Sequence, residues 1–227
     1  MIATGPSVDL YWKELSGALP DFSPEQQRVA VAVYRELAKG EAMTASQMAA
    51  ALGGAGAGAL DEDPLRRFIY RDKNDHIAGF GGIATAPMHD EFYLNDKRLW
   101  TWCAWDSLFL PIVLGETAEV RSPDPETGEL VRLRVSPSGI EVAQPEGTVV
   151  SFLVPDAEAF ETSAANVMAN FCHFVFFFAS RASGERWAAR HAGIFLSSLE
   201  DAWKLARLLT EKQYGQELAR ARVLRSL

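Results

Sequence analysis

Apolar positions recur with a helical period in the first part of the chain and alternate in a strand-like way through most of the rest. Ser23-Pro24-Glu25-Gln26 reads as a capping box with proline at the first helical position, and the periodic run behind it reaches Leu37 before Gly40 stops it. Thr44 and Gln47 form a second box, opening a short Ala-rich helix that ends at Gly53-Gly54. The Gly/Ala stretch from Gly53 to Gly58 has no heavy side chains to pack and reads as a loop. A third short helix is expected over Asp61 to Tyr70, then a hairpin between Phe68 and Ile83 turning at Asn74-Asp75. Three short helices and a hairpin suggest a small winged-helix-like unit over residues 1–85.

Residues 86–227 read as a mixed β-sheet domain. Glu91–Leu94 and Arg98–Thr101 flank an Asn95-Asp96 turn, another hairpin. Cys103 to Leu114 is apolar with helical spacing, interrupted by Pro111 and closed by Gly115. Thr117–Arg121, Glu129–Val135, Gly139–Val142 and Thr148–Val154 alternate like strands. A polar helix is expected over Asp156 to Asn166, a continuous aromatic strand buried on both faces over Phe171–Ala179, and a short helix over Glu185–His191. Ser198, with Asp201 three residues later, caps a long C-terminal helix whose inner stripe would hold Trp203, Leu205, Leu208 and Leu209. The fold class is α+β: a helical unit ahead of a mixed-sheet domain with a long C-terminal helix.

With 227 residues and 48% apolar content, the chain buries enough surface to need neither disulfides nor a structural metal. Its two cysteines lie far apart, which argues against a secreted disulfide framework. The N-terminus lacks a basic start and an apolar run, so no signal peptide is expected. The longest apolar run, Phe174 to Ala179, falls far short of the roughly 18–20 residues of a membrane span. These features predict a cytoplasmic protein with reduced thiols. A net charge of -8 speaks against nucleic-acid binding. Arg66, Arg67 and Arg71 could touch a phosphate backbone, but Asp61-Glu62-Asp63 beside them makes a solvated face the better reading.

The candidate chemistry starts from the cysteines. Cys103 lies between Trp102 and Trp105 with Asp106 three residues on, and positions i and i+3 share a helix face. Cys172 enters the aromatic segment. Taken singly, a free cysteine is most often a small buried hydrophobe, and an acid at a helix start commonly serves the dipole. Asp106, however, stands in an apolar run where a carboxylate is costly without a partner or a task. Two soft thiols and one hard carboxylate do not make a four-ligand structural zinc site. They suit a thiophilic ion of low coordination, with the acid moving protons. Trp102, Trp105 and Phe171 could line an apolar pocket, and plain core packing explains them equally well. His173 is read as a hydrogen-bonded histidine, and His76 and His89 have no ligand-like spacing to either cysteine.

The segments Leu99-Trp100-Thr101-Trp102-Cys103-Ala104-Trp105-Asp106-Ser107-Leu108-Phe109-Leu110-Pro111 and Asn170-Phe171-Cys172-His173-Phe174-Val175-Phe176-Phe177-Phe178-Ala179-Ser180 resemble the two active-site segments of the organomercurial (alkylmercury) lyases. Arg35–Gly40, Val135-Ser136-Pro137 and the Trp187 to His191 stretch extend the resemblance over most of the chain. It implies that Cys103, Asp106 and Cys172 bind the metal and cleave the carbon–mercury bond, releasing hydrocarbon and Hg(II). It implies no organic cofactor, a dependence on small thiols for turnover, and a mercuric reductase as recipient of Hg(II). Two departures stand out. Many members carry a cysteine where this chain has His173, and a further family cysteine has no counterpart around Ser122–Asp124. On the residues alone two other readings stay open: a thiol sensor or scavenger that would not need Asp106, and a regulator built on the N-terminal unit.

Overall fold

The computed structural model describes residues 5–154 and 160–225. It opens with a helix the apolar pattern did not announce, α1 (Val8–Ala18), capped by Ser7 and burying Tyr11 and Leu15. Helix α2 (Pro24–Leu37) carries the expected reciprocal box between Ser23 and Gln26, and Gly40 turns out of it at φ +93°. The Ala-rich helix breaks at Gly53 as expected, where φ is +73°, but the stretch beyond it is not a loop: a second helical segment follows the kink, and the two together make α3 (Ala45–Leu60). Alanine has the highest helix propensity, so the alanines beyond the kink carry a helical segment despite the glycines between them. The expected third helix is only a 3₁₀ turn, Leu65–Phe68, after Pro64 removes a backbone donor. Around it Arg66 and Arg67 both pair with Asp63, and Arg71 with Asp75, which leaves no basic stripe on this face.

Strands β1 (Ile69–Arg71) and β2 (Ile77–Phe80) form the expected hairpin, with Asp75 at positive φ in the turn. With β3 (Ile83–Ala84), β4 (Asp90–Leu94), β5 (Lys97–Thr101), β6 (Ala118–Pro123), β7 (Leu130–Ser136) and β8 (Gly139–Gln144) they make one antiparallel sheet in the order β1-β2-β3-β5-β4-β6-β7-β8. The sheet runs across residue 85. In β6 and β7 every second residue is buried, so one face meets the core. The other is solvated: Arg134 lies between Glu119 and Glu141, and Arg121 sits over the Tyr93 ring. Helix α4 (Asp106–Leu114) crosses the inner face and ends at left-handed Gly115.

Three expectations for the C-terminal part change. Of the polar helix expected over Asp156 to Asn166, residues 156–159 lie outside the described residues, 160–163 are not α-helical, and the helix observed is α5 (Ala164–Asn170), capped by Ser163. The aromatic run is not one strand. Cys172–Phe174 is a 3₁₀ turn closed by Val175 N–H to the Cys172 carbonyl, and pairing starts only at β10 (Phe177–Phe178). Ser151 Oγ, donating to the Phe174 carbonyl at 2.7 Å and accepting from Phe176 N at 2.9 Å, stitches the turn down before the ladder begins. His173 consequently points to solvent rather than into a strand face. Helix α6 (Arg181–Ala188) starts before Glu185 because Ser180 and Ser183 form a box.

A second sheet, β10-β9-β11, joins β9 (Val149–Leu153) to an unanticipated strand, β11 (Ile194–Ser198). Ser198 then opens α7 (Leu199–Arg225) by accepting from Asp201 N at 3.1 Å. On its inner side Leu205 and Leu209 are buried as expected, joined by Ala202, Ala206 and Tyr214, while Trp203 and Leu208 are only half-buried. Helix α7 packs on α4, α2 and α1, so the central core lies between helices and the large sheet. Among the described residues no helix is long and apolar enough to cross a membrane.

Candidate active site

Cys103 does not lie on a helix with Asp106. It falls in the turn Trp102–Trp105 between β5 and α4, and Asp106 is the first residue of α4. The turn performs what the i, i+3 spacing was expected to do. Asp106 Oδ2 accepts the Cys103 N–H at 2.8 Å, so the carboxylate is drawn back over the cysteine. Thr101 Oγ1 donates to the Cys103 carbonyl at 3.0 Å. Trp105 Nε1 donates to the Ala202 carbonyl of α7 at 3.1 Å. The Ala104 N–H reaches the Val175 carbonyl at 3.1 Å, which ties this turn to the 3₁₀ turn carrying Cys172. Two segments nearly seventy residues apart in sequence are thus joined by a backbone bond next to both thiols.

The result is a compact cluster. One ligand atom from each of Cys103, Asp106 and Cys172 lies within 4.8 Å of the other two. All three residues are withdrawn from water, at 2%, 7% and 3% exposure. His173, His76 and His89 are outside it: His76 lies against Asp72, and His89 Nδ1 bonds to Asp90 Oδ1 at 3.0 Å.

Burial sets the protonation states. The Asp106 carboxyl is raised from 3.8 to about 7 by desolvation, against the opposing hydrogen bonds from Cys103. The Cys103 thiol is pushed well above its ordinary value, first by burial, then by its hydrogen bond to Cys172 and the charge of Asp106. For Cys172 the hydrogen bond to Cys103 pulls down, but burial and the charges of Asp106 and Asp90 outweigh it and the net shift is upward. Both thiols therefore stay protonated at rest beside a carboxyl balanced near neutrality. A soft cation that binds them must displace their protons, and Asp106 is the adjacent acceptor.

This arrangement has a measurable consequence for stability. Between 3.8 and about 7 the folded protein keeps the Asp106 proton while the unfolded chain has lost it. The folded state then binds more protons, so raising pH through that window costs stability; the cost is absent below the unfolded value and complete above the folded one. Asp106→Asn removes it. The unfolding free energy of the variant, relative to wild type, is expected to rise by on the order of 4 kcal/mol between about pH 4 and about pH 8. Chemical denaturation at both pH values reads this difference. The same offset at both would contradict a buried acid near neutrality.

An apolar cavity of about 50 Å³ ends on Asp106 and Cys172, with Trp102, Trp105 and Phe171 in its wall as the sequence suggested. Phe22, Phe68 and Phe80 close the other side. Sequence reasoning did not find these N-terminal walls, nor Gly81 and Gly82 at the rim, because nothing in a local pattern tells which core aromatic faces a site. Cys103 is not among the residues that line the cavity.

Comparison with known proteins agrees with this geometry. A family model described as MerB, alkylmercury lyase, matches residues 83–211, which hold all three clustered residues. An alkylmercury lyase of Pseudomonas putida is 32% identical over 208 residues, spanning 89% of this chain and 93% of that protein. One from Streptomyces lividans is 36% identical over 140 residues, 62% of each chain. The crystal structure of the mercury-bound form of MerB2 superposes with a TM-score of 0.71 at 20% identity, over 90% of this chain and 98% of that one, a likeness of fold. From the extent of these matches, the chain belongs to the alkylmercury lyase family.

Proposed function

We propose that the organomercurial lyase activity of this chain is carried by Cys103, Cys172 and Asp106. The observation that supports the assignment is the meeting of two buried thiols and one buried carboxylate within 4.8 Å, at the end of an apolar cavity. The substrate arrives as R–Hg–SR′, carried on a small thiol. Cys172, which lines the cavity, and Cys103 beside it make a two-sulfur site. One thiol proton leaves with the carrier as R′SH. Asp106 takes the other and returns it to the carbon bound to mercury, so the C–Hg bond breaks, RH departs and Hg(II) stays on two thiolates. The protons balance, with no redox change and no organic cofactor. A carboxyl near neutrality suits this two-way transfer, since it is neither too weak a base for a thiol nor too weak an acid for carbon. The apolar wall keeps water from competing for the proton.

The same proposal puts the reaction in the cytoplasm, where thiols are kept reduced. External small thiols, and then a mercuric reductase, are the acceptors proposed for the bound Hg(II). The division into a winged-helix-like unit (1–85) and a catalytic unit (86–227) belongs to the same proposal: the first contributes Phe22, Phe68 and Phe80 to the cavity, the second the reacting groups. Incubation with phenylmercury and excess thiol tests the activity. Benzene is expected in many-fold excess over protein. One bound equivalent with no benzene would instead make the protein a scavenger.

A further inference from the structure

Asp106 must present one oxygen to a thiol and then to a carbon, yet the terminal torsion of an aspartate is broad and selects no single orientation. One oxygen, Oδ2, is held by the Cys103 N–H. The turn between β2 and β3 packs against the other, Oδ1. Gly81 and Gly82 both have positive φ, +46° and +110°, and Gly82 lies directly beneath the carboxylate. A Cβ placed on Gly82 would fall 2.7 Å from both Cγ and Oδ1 of Asp106, closer than any side chain tolerates. The bare Cα of Gly82 is thus the surface on which the carboxylate rests.

That surface is itself anchored. The Gly82 carbonyl accepts the Trp102 N–H at 2.9 Å, and the Gly81 N–H donates to the Phe68 carbonyl at 3.0 Å. Tyr34 of α2 donates its hydroxyl to the Gly81 carbonyl at 2.8 Å, and the same hydroxyl meets that of Tyr214 of α7 at 3.0 Å. Both tyrosines are buried, and a Cβ on Gly81 would come within 2.5 Å of the Tyr34 hydroxyl oxygen. Helices α2 and α7 therefore grip the turn, and the turn sets the carboxylate.

We infer that Gly82, held by the Tyr34–Gly81 hydrogen bond, is a positioning residue for the Asp106 carboxylate in proton delivery. The inference rests on the proton role proposed above. Gly82→Ala is expected to displace the carboxylate and lower kcat for benzene release by about 10²-fold, the scale of an ångström of misplacement. The one phenylmercury captured per chain should stay as in wild type, because the thiols are untouched. Tyr34→Phe keeps the ring packed on Phe80 and Phe109 and loses only the hydroxyl, so it should show the same kcat-specific loss, smaller in size. Gly40→Ala carries the comparable backbone strain, φ +93°, with its nearest neighbour at 3.5 Å on the flexible Lys97 side chain, and should lose stability but not kcat. If Gly82→Ala does not fold, Tyr34→Phe decides alone. Wild-type kcat in both Gly82→Ala and Tyr34→Phe, or capture falling in step with turnover, would overturn the inference. Asp106→Asn measured alongside separates the two levels: normal turnover there removes the proton role itself, whereas a dead Asp106→Asn beside an active Gly82→Ala removes only the positioning.

Discussion

Asp106→Asn should leave capture of phenylmercury intact and cut benzene release by about 10²–10⁴-fold, the range of a general acid–base group. The amide keeps the side chain's shape, but at neutral pH it can neither accept a thiol proton nor give one to carbon. Its carbonyl oxygen can still take the Cys103 N–H that Oδ2 takes at 2.8 Å, so the turn between β5 and α4 should hold. A helix-start acid serving only the dipole would produce a change in stability and nearly normal turnover. Benzene release within a few-fold of wild type would remove the carboxyl from the proton path while leaving the family unchanged.

Cys172→Ser should abolish turnover with the fold intact. Serine is nearly isosteric, but a hydroxyl is too hard and too weakly acidic to hold mercury against thiols in solution. Because Cys172 lines the cavity and supplies one of the two sulfurs, capture should fall as well, which distinguishes this variant from Asp106→Asn. The buried hydroxyl at 3% exposure costs about 1–3 kcal/mol if unpaired, and the Cys103 thiol beside it offers a partner. Circular dichroism and thermal unfolding check that the loss is chemical. Full benzene release by the folded variant would take Cys172 out of the mechanism.

The site was legible in the sequence to the extent that its chemistry is local. Cys103 and Asp106 stand three apart in an apolar run, and that spacing brought them together even though a turn, not a helix, does so. Nothing local links Cys172 to them; the resemblance to the two family segments did, and the Ala104–Val175 bond is its physical form. Capping boxes at Ser23 and Thr44 placed α2 and α3 correctly, because a cap is written in four adjacent residues. The aromatic run failed as a strand because Ser151, far off in sequence, holds Phe174 and Phe176 in a turn. Gly53 breaks α3 as its sequence suggests, and only the helical segment beyond it was missed, because alanines among glycines can still carry a helix. Tyr34, Tyr214 and Gly82 carried no signal at all, since their relation to Asp106 exists only after α2, α7 and the β2–β3 turn have met.

The central claim is that one buried cluster both holds mercury and protonates carbon. Its most direct test is a single turnover with one equivalent of phenylmercury and no added thiol, measuring bound mercury and released benzene on the same sample. The account predicts equal amounts of the two, with X-ray absorption showing Hg(II) on two sulfurs and no carbon. Mercury retained with its phenyl group still attached, and no benzene, would contradict it.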